Sequence, residues 1–186
     1  IDFNYLDINL PINQWILNEL ASTKIKIEKY MSKYLFHEIA NELYHFVWHT
    51  YCDWYIEFSK SLLSKNKTES KETRNVSSWV FREILKISHP IMPFITEKLW
   101  LSLFNKKSFL MNEILFDIKI QDSFIVSQNN FKNLINIIKS IRNLRSELNI
   151  PYTNKIKLNI NNKDQIFCNF VKTLENEIIR LLKLSE

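Results

Sequence analysis

Three side chains able to bind a metal or carry a proton recur every fourth residue in one short stretch: His45, His49 and Asp53. On a helix this spacing brings them to one face, as zinc ligands require. The zinc-protease pattern also needs Glu directly after the first His, and Phe46 stands there instead. The two histidines therefore read as solvated or hydrogen-bonded groups, and no metal site is expected. His89, just before Pro90, reads as closing a helix end. Glycine is absent from all 186 residues, where ordinary usage of roughly 7% would supply about a dozen. Its absence excludes Gly-rich phosphate loops, dinucleotide fingerprints and the nucleophile elbow, which need positive φ or close backbone approach. No serine has His and Asp partners in a triad order, and the carboxylates are dispersed. Cys52 and Cys168 lack a CxxC partner, so both read as buried thiols. An autonomous enzyme is not expected.

What remains is binding chemistry. The stretch FVWHTYCDWYIEFSK (46–60) holds six aromatic residues among fifteen, with Asp53, Glu57 and Lys60 scattered between them. Turning about 100° per residue puts Val47, Trp48, Tyr51, Cys52, Trp54, Tyr55 and Phe58 on one broad arc. His49, Thr50, Asp53, Glu57 and Lys60 fall opposite, so five of the six aromatics are assigned to a core. Phe46 and Ile56 are the exceptions, in or beside the polar stripe. Two readings are open for them. They pack on an unstacked base whose edge the polar groups read, or they touch a neighbouring helix. A second set is basic. Arginine occurs only five times, yet Arg142 and Arg145 lie one turn apart, with Lys132 and Lys139 before them and Lys155 and Lys157 after. With a net charge of +5 these residues suit an RNA backbone, each charge displacing condensed counterions. The competing reading is a solvated lysine face in a Lys-rich composition.

The elements that must position these groups are helical. Pro11 opens a first helix whose apolar face is Trp15, Ile16, Leu20, Ile27 and Tyr30 or Met31. A second, from about 33 to 63, carries Phe36, Ala40, Leu43, Val47, Tyr51, Trp54, Phe58 and Leu62, flanked by a stripe of Tyr44, Trp48, Cys52 and Tyr55. Two stripes predict contact with more than one neighbour, the place of a central bundle helix. SKNKTESKETRN (64–75) has no apolar residue and reads as a mobile loop. A third helix follows with Val76, Trp79, Val80, Ile84 and Ile87, and Pro93 starts a fourth that ends near Phe104. Residues 105–128 read as a surface excursion. A fifth helix, about 130–148, has the stripe Phe131, Leu134, Ile138, Ile141, Leu144 and Leu148. KIKLNI (155–160) then alternates as a half-buried strand, and 163–184 returns to helical spacing. The predicted fold is mostly α: a helical bundle over 1–150 and a small mixed α/β appendage over 151–186, the start of a C-terminal extension. No membrane span or signal peptide is legible, which predicts a cytoplasmic protein. The chain does not begin with Met, so a piece of a longer protein is expected.

LYHFVWHTYCDWYIEFSK (43–60), followed by HPIMPFITEKLW (89–100), resembles the α-helical anticodon-binding domain of the valyl-tRNA synthetases, which are class I enzymes. NQWIL (13–17) and IRNLRSELNIP (141–151) fit the same family in the same order. The HP-x-MPF segment recurs in the isoleucyl, leucyl and methionyl enzymes, and CDWY-x-E is the part that points to valine. The resemblance implies a bundle that grips the anticodon stem and loop of the valine tRNA. It implies anticodon contacts for Asp53, Ile56 and Glu57, to which geometry adds Phe46 and Lys60. Arg142 and Arg145 match the family's Arg-x-x-Arg. With Lys139, Lys155 and Lys157 they are the expected backbone contacts. The family's HIGH and KMSKS signatures and the helix preceding NQWIL are absent. The chain alone is therefore expected to be inactive and to need no cofactor. A parent enzyme would ligate valine to its tRNA with ATP and Mg²⁺, and its catalytic and editing domains would be this domain's partners. The alternatives are a helical protein-interaction module without RNA binding, and the equivalent domain of a sister synthetase.

Overall fold

The computed structural model describes residues 8–64, 67–104, 108–115, 117, 119–151, 153–160 and 163–185. The fold is mostly α, as expected. Helix α1 (Pro11–Met31) is followed by α2 (Phe36–Tyr44), a π-helical segment (His45–Ile56) and α3 (Glu57–Leu63). Backbone torsions stay right-handed helical through both junctions, so 36–63 is one rod with a wider centre. Then come α4 (Lys67–Ser88), α5 (Pro93–Phe104), α6 (Ile125–Glu147), α7 (Gln165–Thr173) and α8 (Glu175–Leu182). No helix among the described residues is long and apolar enough to cross a membrane.

The chain forms two compact units, Ile1–Ile125 and Val126–Glu186. In the first, α1 buries Ile12, Trp15, Ile16, Leu17 and Leu20 against the rod and α4. The rod answers with Leu43, Tyr51, Trp54, Tyr55, Phe58 and Leu62. Polar pins lie inside this packing. The Tyr55 hydroxyl donates to Asn13 Oδ1 at 3.0 Å, and the Asn13 amide donates to Glu72 Oε1 at 2.9 Å. Asn18 holds the main chain of Gln121 in both directions, at 2.9 and 3.1 Å, and so fixes the end of the irregular excursion. Glu97 accepts from the Leu110 N–H and anchors its start.

The loop expected over 64–75 is instead helical from Lys67 onward. Its sequence has no glycine or proline to stop a helix, and its buried positions are the small hydroxyl residues Ser70 and Thr73. Glu72 accepts from the N–H groups of Asn9 and Leu10, ahead of α1, at 3.3 and 3.0 Å. Polarity here covers two cases, hydrogen-bonded packing at Ser70, Glu72 and Thr73 and solvent exposure at Thr68, Lys71 and Arg74.

In the second unit, α6 buries Ser127, Phe131, Leu134, Ile138 and Arg145. The stripe therefore continues through Arg145, and Leu144 and Leu148 are exposed. The helical stretch 163–184 is two helices, broken at Leu174. Asp164 caps α7, its Oδ1 accepting from Ile166 N and Phe167 N at 2.9 and 3.2 Å. The expected strand at 155–160 is not formed among the described residues. Only a single parallel bridge joins Ile156 to Leu184. Alternation survives, with Lys155 and Lys157 exposed and Ile156 and Leu158 half-buried, but no neighbouring strand takes up the ladder hydrogen bonds. The chain boundary expected at 150 and the division at 125 differ because α6 belongs with the helices that follow it.

Three helices close through a left-handed residue: Tyr34, Asn149 and Lys183, with φ of 55°, 51° and 52°. In each the next N–H reaches back to a carbonyl five residues earlier: Leu35 to Tyr30, Ile150 to Arg145 and Leu184 to Ile179. Glycine favours this position, and a chain without glycine must fill it with side chains that resist it.

Candidate nucleic-acid interface

The rod presents His49, Asp53, Ile56, Glu57 and Lys60 away from the α1 core. His49 and Asp53 are exposed, with His49 Nδ1 3.2 Å from Asp53 Oδ2. The rings of His45 and His49 lie 5.4 Å apart, and Tyr44 meets His49 edge-on. Each His49 contact is thus aromatic or carboxylate, and no group of three metal-binding side chains occurs among the described residues. Beside Asp53, the Cys52 thiol is pushed up from its ordinary value, first by burial and then by that carboxylate. It therefore stays protonated and poorly nucleophilic near neutral pH. Lys60 is paired with Glu57, so both long side chains are held at the rim rather than sweeping through solvent. His89 does close a helix end. Its Nδ1 lies 2.8 Å from Thr96 Oγ1, which donates to Met92 O.

Ile56 stays 37% exposed, but Phe46 is only 2% exposed and belongs to the core. Contrary to expectation, Phe46 is not on the polar stripe, and the exposed aromatic of 46–60 is Trp48, at 55%. The reason is geometric. Hydrogen bonds from i to i+5 make a wider coil that turns less than 100° per residue, so the faces drift away from α-helical bookkeeping. The buried sequence of the rod runs Leu43, Phe46, Tyr51, Trp54, Tyr55, Phe58, with a five-residue step that no α-helical stripe contains. Five of the six aromatics are core, as counted, with a different exception.

Lys139, Arg142, Lys155 and Lys157 are exposed in the second unit. Arg145 is not. Its Nη1 donates to Leu182 O at 2.8 Å, and its Nη2 to Pro151 O and Asn154 O at 2.8 and 2.7 Å. The guanidinium offered by the sequence to a phosphate is spent on three main-chain carbonyls. It caps the end of α8 and fixes the turn after α6.

α4 supplies residues that the sequence did not bring to notice. Ile56 and Lys60 face Arg74, Ser77, Ser78 and Phe81 across a groove of about 410 Å³. With 64–75 read as a loop, Arg74 had no helix and hence no face. Its place, seven residues before Phe81 on one helical side, was the available signal.

The sequence profile of the anticodon-binding domain of tRNA ligases matches residues 13–160. The chain belongs to this family. Among similar proteins, a valine–tRNA ligase of Pelagibacter ubique is 38% identical over 96% of this chain and 21% of its own length. A valine–tRNA ligase of Staphylococcus aureus is 36% identical over 88% of the chain and 19% of its own length. The chain therefore spans about a fifth of the length of these relatives. The match covers the rod and α4, and it runs through α6 to the end of the extended segment at 160, leaving α7 and α8 outside it.

Proposed function

We propose that the chain reads the anticodon stem and loop of a valine tRNA as one domain of a cytoplasmic valine–tRNA ligase. The observation that carries this reading is the family match over 13–160, combined with similarity to valine–tRNA ligases over nearly the whole chain. The exposed stripe of Asp53, Ile56, Glu57 and Lys60 supports it chemically. It offers acceptors, a cation and a half-open apolar surface, which suit a splayed base better than a regular duplex. Phe46, being core, is not part of this stripe. Lys139, Arg142, Lys155 and Lys157 supply the sequence-independent grip on phosphates. Amino-acid activation with ATP and Mg²⁺ belongs to the remainder of the ligase. Its catalytic and editing domains are the partners of this one.

The test is binding of the chain to valine tRNA and to the same tRNA with its anticodon replaced, across several salt concentrations. A preference for the native anticodon is expected. Equal, steeply salt-dependent binding would leave only a backbone grip. Equal preference for an isoleucine tRNA would favour a sister synthetase, and no binding at low salt a protein-interaction module.

A further inference from the structure

We propose that the second unit carries an RNA site of its own: a basic stripe along α6 that takes an A-form duplex by shape and backbone, whatever its sequence. This goes beyond the anticodon reading, which concerns one tRNA and the rod of the first unit. It shares with that reading only the assignment of phosphates to Lys139, Arg142, Lys155 and Lys157.

The charge of the chain is partitioned. Residues 1–125 hold fifteen Lys and Arg against fifteen Asp and Glu, and residues 126–186 hold ten against five. The net charge of +5 therefore belongs entirely to the second unit. A Lys-rich composition does not by itself produce this, because the first unit offsets its lysines: Lys24, Lys26, Lys60 and Lys86 each meet a carboxylate. Lys132, Lys139, Lys155 and Lys157 are exposed and meet none among the described residues. From Ile125 to Ser146, α6 has no carboxylate at all. Steps of four, three and four residues put Lys132, Asn136, Lys139 and Asn143 on one exposed line, about 16 Å long at about 1.5 Å per residue, with Arg142 beside it. Arg145, on the opposite side, ties the carbonyls of Pro151 and Asn154 to the helix, so Lys155 leaves from the end of the same stripe. Each Asn amide adds a donor and an acceptor between the cations. Cations for phosphates interleaved with amides for 2′-hydroxyls suit the wide, shallow minor groove of an RNA helix. Ring chemistry decides against a single strand. Phe131, Phe167 and Phe170 are buried, so this unit exposes no aromatic ring among the described residues, and unpaired bases bind by stacking on such rings.

The experiment measures the chain's affinity for a blunt RNA duplex of about 16 base pairs, unrelated in sequence to any tRNA, at several salt concentrations. Binding is expected, falling steeply with salt and alike for a second duplex of scrambled sequence. Lys132→Glu combined with Lys139→Glu should weaken it about tenfold or more. The thermal melt of that variant should be unchanged, because both side chains are exposed. Lys33→Glu combined with Lys98→Glu makes the same change in net charge on exposed positions of the first unit, and should cost less than about twofold. Equal losses in the two double variants would reveal a diffuse field instead of a site and overturn the proposal. Asn136→Ala combined with Asn143→Ala should keep the salt slope and lower the preference for RNA over a DNA duplex of the same sequence. Equal affinity of the unaltered chain for the two duplexes would overturn the A-form assignment. If valine tRNA binds with native-anticodon preference while the duplex fails to bind at low salt, the anticodon reading stands and the duplex site falls. If the duplex binds as described and the tRNA shows no anticodon preference, the duplex site stands and that reading falls.

Discussion

Arg142 and Arg145 stand three residues apart on α6 and read alike in the sequence, yet the fold places them in opposite surroundings. Arg142 is exposed, whereas Arg145 is 6% exposed and satisfies the carbonyls of Pro151, Asn154 and Leu182. Replacing Arg142 with Ala should leave stability within about 0.5 kcal/mol and reduce the salt slope of tRNA binding by about one. Replacing Arg145 with Ala leaves three carbonyls without their donor. It should destabilise the 126–186 unit by about 3 kcal/mol. Denaturant unfolding of the two variants, followed alongside tRNA titrations, separates the roles. Equal stability of both would remove the structural assignment of Arg145. Nothing in the residue type distinguishes them, because an arginine on an apolar stripe is indistinguishable by spacing from one beside it until the carbonyls it meets are known.

At the scale of the element, α4 and the helix ends are the parts least legible from composition. Glu72 accepts from two N–H groups just before α1 and from the Asn13 amide, at the positive end of that helix. Glu72→Ala should therefore lower stability by about 2 kcal/mol, although the residue sits in a stretch with no apolar side chain. A thermal melt indistinguishable from the parent's would show that these bonds exchange freely with water. The left-handed residues give a change of opposite sign. Tyr34 is 79% exposed and sits at φ 55°. Tyr34→Gly should stabilise the protein by about 1 kcal/mol, since glycine adopts that region without the Cβ clash. A loss in denaturant midpoint would mean that the edge-on contact of Tyr34 with Phe36 outweighs the backbone term.

For the molecule as a whole, the buried tyrosines set an alkaline limit. The Tyr55 phenol is held well above its ordinary value of 10.0, first by burial and then by Tyr51, and Tyr51 is raised chiefly by its own burial. In the unfolded chain both lose their protons near pH 10, while in the folded protein they keep them. The stabilisation is thus fully present below pH 10 and is lost as pH rises beyond it, by up to about 1.4 kcal/mol per pH unit for each tyrosine. Tyr55→Phe should flatten this alkaline limb and cost about 1 kcal/mol at neutral pH through the lost bond to Asn13. An unchanged alkaline limb in that variant would rule Tyr55 out as its origin.

Most of the helices, their order and the family were legible in the sequence, because periodic apolar residues, Pro11, Pro93 and motifs such as CDWY-x-E act locally or as fixed strings. The polar stripe of Asp53, Glu57 and Lys60 was legible for the same reason. Only tertiary structure could decide the rest. Phe46 and Trp48 exchanged places because the rod's centre turns more slowly than an α-helix, and side-chain order alone does not encode that turn. The helix through 67–75, which carries Arg74 to its groove, is held by Glu72 on the main chain of Asn9 and Leu10, by Thr73 on the Asn13 amide and by Ser70 on the Leu63 carbonyl. The predicted strand met a single bridge because alternation specifies a face but cannot supply the neighbour that a sheet requires.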